Sequence, residues 1–497
     1  MQNGIMIQFF HWYSRDNGTL WSYLSQEAPK LAELGVTAAW LPPAYKGSDG
    51  TNSRGYDVYD IYDLGEFDQK GTVRTRYGTK QEYIDCIKAL QDNGITAIAD
   101  IVLNHMGGAD ETEKIWVKKV DPEHRNEIVS DAFEIEAFTK FTFPGRKGQY
   151  SNFIWDARCF TGVDYDNASK ETAIYKIQNE YGEGWDEVID DEKGNFDYLM
   201  CADIEYRNEF VREELKRWGK WYLETTNFNG MRLDAIKHMS PRFINEWVDY
   251  MRSLKPDLFI VGEYWAPGDL PLLQKYLDAT QGRMTLFDAS LHHNLYDASN
   301  QGRDYDMSHI FDGSLVDAAP TFSVTIIDNH DTQPLQALEA PVNPWFKPLG
   351  YALILLREKG YPCIFYPDLY GTSYTDKGKD GNDYEIILPK CEELEALLLL
   401  RKNFAYGAQR DYIDHKNCIG WTREGNEDER TGCAVILSNG DDGNKHMEIG
   451  KRFAGKTFVD FLKGSPEEIT IDENGWAEFL VKGGKVAVWV QKQIRMD

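Results

Sequence analysis

Eight short runs of apolar residues, rich in β-branched and aromatic side chains, recur along the chain: IMIQFF (5–10), VTAAWLP (36–42), ITAIADIVLN (95–104), GMRLDA (230–235), LFIVGEYW (258–265), MTLFDA (284–289), FSVTIIDNH (322–330) and PCIFY (362–366). Most follow a segment whose apolar positions recur every three or four residues, such as LWSYLSQEAPKLAELG (20–35), QEYIDCIKALQDNG (81–94) and RFINEWVDYMRSL (242–254). That spacing marks amphipathic helices, and two of these segments end on the glycine that commonly follows a helix. Near-continuous apolar strands alternating with helices predict a parallel sheet covered on both faces, and eight such units are what a closed (β/α)8 TIM barrel requires. A doubly wound open sheet is the alternative that the pattern alone leaves standing.

Two stretches interrupt this rhythm. About 125 residues separate NH (104–105) from GMRLDA, which predicts a subdomain inserted after the third strand, dense in Asp: Asp164, Asp166, Asp186, Asp190, Asp191, Asp197 and Asp203. From about residue 403 the pattern changes to short alternating strands (CIGWTREG, GCAVILSN, KTFVDFL, AEFLVKGGKVAVWVQ) punctuated by NGDDG, ENG and KGGK turns. That reads as an appended antiparallel β-sandwich. The expected division is therefore an α/β protein with a first barrel part over 1–104, an inserted subdomain over 105–207, a second barrel part over 208–402 and a C-terminal β-sandwich over 403–497.

One strand carries charge where a barrel interior should be apolar. In GMRLDAIKH (230–238), Met231, Leu233 and Ala235 point one way while Arg232 and Asp234 share the other face. Barrel interiors are normally filled with branched apolar side chains, so this pair must lie in the top layer, at the C-terminal strand ends where barrel chemistry sits. The other strand ends read HWY, LPPAY, NH, GEYW, DAS and DNHD. Polar and aromatic residues gather at that one rim.

Composition narrows the ligand. A formal net charge of -27 disfavours nucleic acid and polyphosphates and favours a neutral substrate. The 14 Trp, 28 Tyr and 24 Phe suit stacking on a ligand, although core packing explains most of them. Seven scattered cysteines without metal spacing read as the reduced thiols of a cytoplasmic protein, and MQNGIMIQFFHWY lacks the basic and apolar regions of a signal peptide. No apolar run reaches the roughly 20 residues of a membrane span.

Three carboxylates stand at the predicted rim: Asp234, Glu263 and Asp331. Any one alone reads as a turn or helix cap, but three converging with His105, His330 and Arg232 suit glycoside hydrolysis, in which paired carboxylates serve as nucleophile and as acid then base. Asp234 beside Arg232 is expected to stay ionised. Glu263, among Val261, Tyr264 and Trp265, is expected to hold its proton.

DIVLNH (100–105), GMRLDAIKH (230–238), GEYW (262–265) and IIDNHD (326–331), in this order, resemble the four signature regions of the α-amylase family of glycoside hydrolases. The resemblance extends through WFKPLGYALILLREKGYP (345–362), FYPDLYGT (365–372) and GWTREG (420–425), and is to the liquefying bacterial members. It implies Asp234 as nucleophile, Glu263 as acid/base and Asp331 as transition-state stabiliser. It also implies His105 and His330 as donors to the sugar, Arg232 as the orienter of Asp234, Tyr56 as an aromatic platform, and Lys237 and His238 on the leaving-group side. The substrate implied is an α-glucan such as starch, glycogen or maltodextrin, cleaved internally at α-1,4 bonds. The sequence does not fix the oligomeric state, and a monomer is the favoured expectation.

A structural Ca²⁺ follows from the same resemblance, held by Asn104, Asp197, Asp203 and the backbone carbonyl of His238. A second metal cluster would involve Thr161, Asp186 and Glu205. Thr161 is a neutral hydroxyl where that cluster has a carboxylate, so one tight Ca²⁺ is expected. The alternatives are an oligosaccharide-specific α-glucosidase or transglycosylase of the same family, an inactive carbohydrate-binding barrel, and a metalloenzyme barrel, although the histidines lack Zn or Fe spacing.

Overall fold

The computed structural model describes residues 3–181, 184–427 and 431–492. Each of the eight apolar runs supplies one strand of a closed parallel barrel: β1 (Met6–Gln8), β2 (Ala38–Leu41), β3 (Thr96–Ile101), β4 (Gly230–Leu233), β5 (Phe259–Gly262), β6 (Thr285–Phe287), β7 (Ser323–Ile326) and β8 (Tyr361–Phe365). Neighbours follow chain order, and β1 closes the ring against β8 and β2. In each run the strand stops before the run does, so the last residues of every run lie beyond the ladder.

Helices Leu20–Glu33, Lys80–Asp92 and Pro241–Leu254 occupy the predicted periodic segments. The second begins with a reciprocal cap in which Thr79 accepts from the Glu82 N–H and Glu82 accepts from the Thr79 N–H. On β4 the alternation is as expected: Met231 and Leu233 are buried against the helical layer, and Arg232 is fully buried on the opposite, inward face.

After β3 the chain builds a six-stranded antiparallel sheet with the order His105–Met106, Ala202–Ile204, Phe160–Asp166, Glu171–Ile177, Glu111–Lys119, Phe133–Lys140. His105–Met106 continues directly from the third-strand segment, so one edge of this sheet is anchored at the barrel rim.

The C-terminal strands form a six-stranded antiparallel sheet, with Gly443–Glu448 and Trp476–Val481 paired beside it. Ile436, Met447, Phe458, Phe479 and Trp489 fill the core of this region. The two strands flanking the KGGK turn belong to different sheets, since Val486–Gln491 pairs with Cys433–Ser438 and Thr457–Asp460. All seven cysteines are unpaired. Among the described residues no helix is long and apolar enough to cross a membrane.

Candidate active site

Register places the central charges. Arg232 of β4 lies beside Asp100 of β3 on one side and Val261 of β5 on the other. Its Nη1 contacts Asp100 Oδ1 at 3.0 Å and also Asp234 Oδ1, while Nη2 lies 3.3 Å from Glu263 Oε2. One fully buried guanidinium thus touches three carboxylates. Asp100 was not among the expected site residues, although it opens the DIVLNH motif. Its second oxygen accepts from Trp40 Nε1 and from the Tyr56 hydroxyl, each at 2.9 Å, so it orients Arg232 and Tyr56 together.

Immediately after Asp234 the backbone turns sharply, with Ala235 in the left-handed region at φ 50°. A side-chain-bearing residue is strained there, and the turn aims the Ala235 N–H at Glu263 Oε2, 2.8 Å away. Asp234 and Glu263 are therefore held together through Arg232 and through this peptide. Burial above all, and then the charges of Asp234 and Asp331, push the Glu263 carboxyl up to about 8, against the lowering effect of Arg232. The apolar setting read from GEYW acts in the expected direction.

Asp331 stands at the mouth with its side chain 24 % exposed, its Oδ2 lying 3.2 Å from His330 Nε2. Burial of the site and the nearby Asp234 and Asp100 raise its carboxyl to about 7. His330 Nδ1 lies 3.0 Å from Gln8 Nε2 at the end of β1. Its ring stacks on Tyr56, with centroids 5.0 Å apart, and on Trp12 at 6.1 Å. Trp12, in the HWY end of β1, extends the expected single-ring platform to a wall of aromatic faces. His105 Nε2 donates to the Tyr56 carbonyl at 2.9 Å, so this histidine also positions the platform.

Lys237 and His238 border the same cleft but are tied to the inserted segment. Lys237 Nζ pairs with Asp190 Oδ2 at 3.0 Å and Glu192 Oε2 at 2.6 Å, and His238 Nδ1 donates to the Phe196 carbonyl at 2.6 Å. Residues 190–200 therefore form one wall of a cleft of 880 Å³, facing Trp12, Tyr56, His105, Asp234, Glu263, Trp265, His330 and Asp331. The aspartates read only as a dense patch in the sequence include part of that wall.

Asn104, Asp197 and Asp203 are all buried near the junction of barrel and insert. Asn104 Oδ1 has no hydrogen-bond partner among the described residues, and Asn104 Nδ2 lies 3.4 Å from Asp203 Oδ1. Burial pushes Asp197 up to about 8, and burial with the neighbouring Asp197 charge drives Asp203 well above the usual carboxylate range. An orphaned amide oxygen beside buried carboxylates is a donor set that a hard cation satisfies. Among the described residues no group of three or more His, Cys, Asp or Glu converges as a metal site. The implied set needs only two carboxylates, with an amide and a peptide carbonyl. At the second implied cluster, Thr161 donates to Asp203, and Glu205 is held by Arg207 at 2.5 and 2.7 Å.

Comparison with known proteins gives the family and the fold. The family model described as "Alpha amylase, catalytic domain" matches residues 16–424, and "Alpha-amylase C-terminal" matches 433–490. The chain is 50 % identical over 496 residues to the cytoplasmic alpha-amylase of Escherichia coli (strain K12), covering 99 % of this chain and 100 % of that protein. It is 48 % identical to the alpha-amylase of Geobacillus stearothermophilus, covering 99 % of this chain and 87 % of the other. A crystal structure of the Geobacillus thermoleovorans alpha-amylase complexed with acarbose shares the fold, with a TM-score of 0.63 at 18 % identity over 99 % of both chains.

Proposed function

The chain belongs to the α-amylase family of glycoside hydrolases, and from that premise we propose that it cleaves internal α-1,4-glucosidic bonds with retention, through Asp234 as nucleophile and Glu263 as acid then base. The observation that carries this reading is the bridging of the two carboxylates by one buried guanidinium and one peptide N–H. Arg232 orients the carboxylate of Asp234, which attacks the anomeric carbon. Glu263, kept protonated to about 8, donates its proton to the departing glycosidic oxygen and then takes one from the incoming water.

Asp331 and His330 act at the mouth, where hydrogen bonds that strengthen as the sugar distorts lower the barrier rather than tighten ground-state binding. Tyr56 and Trp12 offer ring faces to the sugar. An α-glucan, as starch, glycogen or maltodextrin, is the substrate we assign, and we assign the enzyme to the cytoplasm, which the similarity to a cytoplasmic relative supports. An oligosaccharide-restricted or transglycosylating variant remains the second reading, and the product profile separates the two.

We assign one Ca²⁺ to Asn104, Asp197, Asp203 and the His238 carbonyl, where it would join the insert to the barrel and neutralise buried carboxylates. Arg207, already paired with Glu205, supplies positive charge at the second cluster and supports a single metal. The division at 105–207 and 403–497 is retained as the domain plan, supported by the change from parallel to antiparallel sheets.

The test is digestion of soluble starch with product sizing and NMR of the first-formed anomer. Internal cleavage with α-anomer release is expected, and initial β-anomer would overturn retention. Asp234→Asn should lower kcat by at least about 10⁴-fold, or roughly 5 kcal/mol of barrier.

A further inference from the structure

The ring of His330 is buried among four others, with the centroids of Phe10, Trp12, Trp40 and Tyr56 all within 6.1 Å of its own. Aromatic packing holds its plane. Apolar faces do not distinguish a ring nitrogen from a ring carbon, so they leave open both a half-turn of the ring and the choice of which nitrogen carries the proton. A polar partner must decide.

That partner is Gln8, at the C-terminal end of β1. It pairs in register with Trp40 of β2, whose indole N–H reaches Asp100, so both side chains project into the barrel. Gln8 is buried, and its Nε2 lies 3.0 Å from His330 Nδ1. An amide nitrogen can only donate, so Nδ1 accepts and carries no proton. Burial and then the Arg232 charge hold the ring neutral by lowering its pKa well below the ordinary 6.5, which leaves its single proton on Nε2. The second contact agrees, since Nε2 lies 3.2 Å from Asp331 Oδ2, where an N–H is favourable and a lone pair is not.

Gln8 Oε1 has no partner among the described residues, so the His330 ring is the only hydrogen-bond partner this side chain has there. An amide buried with its oxygen unmet costs stability, and packing does not account for a glutamine at this position. His330 lines the catalytic cleft and Gln8 does not. Whatever Gln8 contributes to the reaction passes through the imidazole.

We propose that Gln8 is a positioning residue of the reaction: by donating to Nδ1 it keeps the proton of His330 on Nε2 and that N–H aimed into the cleft beside Asp331, where it meets a hydroxyl of the sugar being cleaved. The inference rests on the glycoside-hydrolase reading above and deepens it.

The experiment reads the tautomer by nitrogen NMR of isotope-labelled histidine, with the His330 signals assigned by their loss in His330→Asn, and reads its consequence on a chromogenic maltoside. In the native chain without substrate, Nδ1 of His330 should resonate as an unprotonated nitrogen and Nε2 as a protonated one. The reverse pattern, or two protonated nitrogens, would overturn the proposal whether or not the chain hydrolyses glucans. Absence of maltoside hydrolysis by the native chain would instead overturn the catalytic reading, and with it the reaction that Gln8 is said to serve. The two failures are read by different measurements.

Gln8→Met keeps the bulk and removes the donor. Its kcat should fall about tenfold, a part of the roughly 10²–10³-fold that loss of a whole transition-state donor costs, while KM on the maltoside changes by less than about twofold. The two His330 nitrogen signals should draw toward each other as tautomers and ring orientations mix. An unchanged kcat would overturn the proposal. So would a lowered kcat with native nitrogen shifts, which would mark a purely structural role. If that variant does not fold, the native spectrum alone decides.

Discussion

Glu263 concentrates the residue-scale physics. Its carboxyl titrates near 8 in the folded protein against an ordinary 4.5, because burial penalises the anion more than Arg232 relieves it. A folded state that holds a proton the unfolded chain has released loses stability as pH rises from about 4.5 to 8, and the loss is complete above the folded value. Catalysis has the same sign, since the acid must be protonated. The alkaline limb of kcat/KM should therefore fall through about pH 8. Glu263→Gln should abolish that limb and most activity on unactivated glucans, while retaining more on substrates with good leaving groups. The same variant should melt at a higher temperature than the native chain above pH 8, as read by calorimetry, because no charge remains to bury. A lower Tm there would contradict the burial account.

At the scale of elements, the loop that carries His330 and Asp331 is pinned from below. Lys347, at the start of the helix Lys347–Leu355, places Nζ 2.8 Å from Asp328 Oδ2 and against Asp368 Oδ1. The Tyr351 hydroxyl donates to the other Asp368 oxygen at 2.5 Å, and Asp328 accepts from the Val342 N–H at 3.1 Å. The end of β7, the segment after β8 and the returning helix are thus tied at one buried point. Lys347→Met would leave two buried carboxylates without their cation, which costs about 3–5 kcal/mol. Denaturant unfolding should show that loss. Because Asp328 is three residues from Asp331, kcat should fall while KM on short maltosides changes little. Unaltered kcat in the folded variant would mean that the loop holds its geometry without this anchor.

For the whole molecule, the inserted sheet and the barrel meet where the Ca²⁺ ligands are assigned, so metal and domain stability are linked. Binding that favours the folded state at 100 times its Kd adds about 2.7 kcal/mol, and a chelator removes it. Chelation should lower Tm and expose the 105–207 region to protease before the barrel unfolds, since barrel contacts involve no metal. Activity should be lost at that stage, because residues 190–200 wall the cleft. Metal analysis after dialysis should find one Ca²⁺ per chain. Two or more would overturn the single-site assignment, and none would overturn the ligands.

The count of eight strands, the shared face of Arg232 and Asp234, and the apolar surroundings of Glu263 were legible in the chain. Each depends on periodicity or on residues a few positions apart, which local geometry converts directly into faces and neighbours. The pairing of Arg232 with Asp100 was not legible, although Asp100 stands in a quoted motif, because it depends on how two strands 132 residues apart are registered. The same holds for Trp12 over His330 and for Lys237 against Asp190 and Glu192. Sequence order determined which residues reach the rim. Barrel closure and strand register decided which of them meet, because contacts between distant segments are set by the packing of whole elements and leave no periodic trace in any one of them.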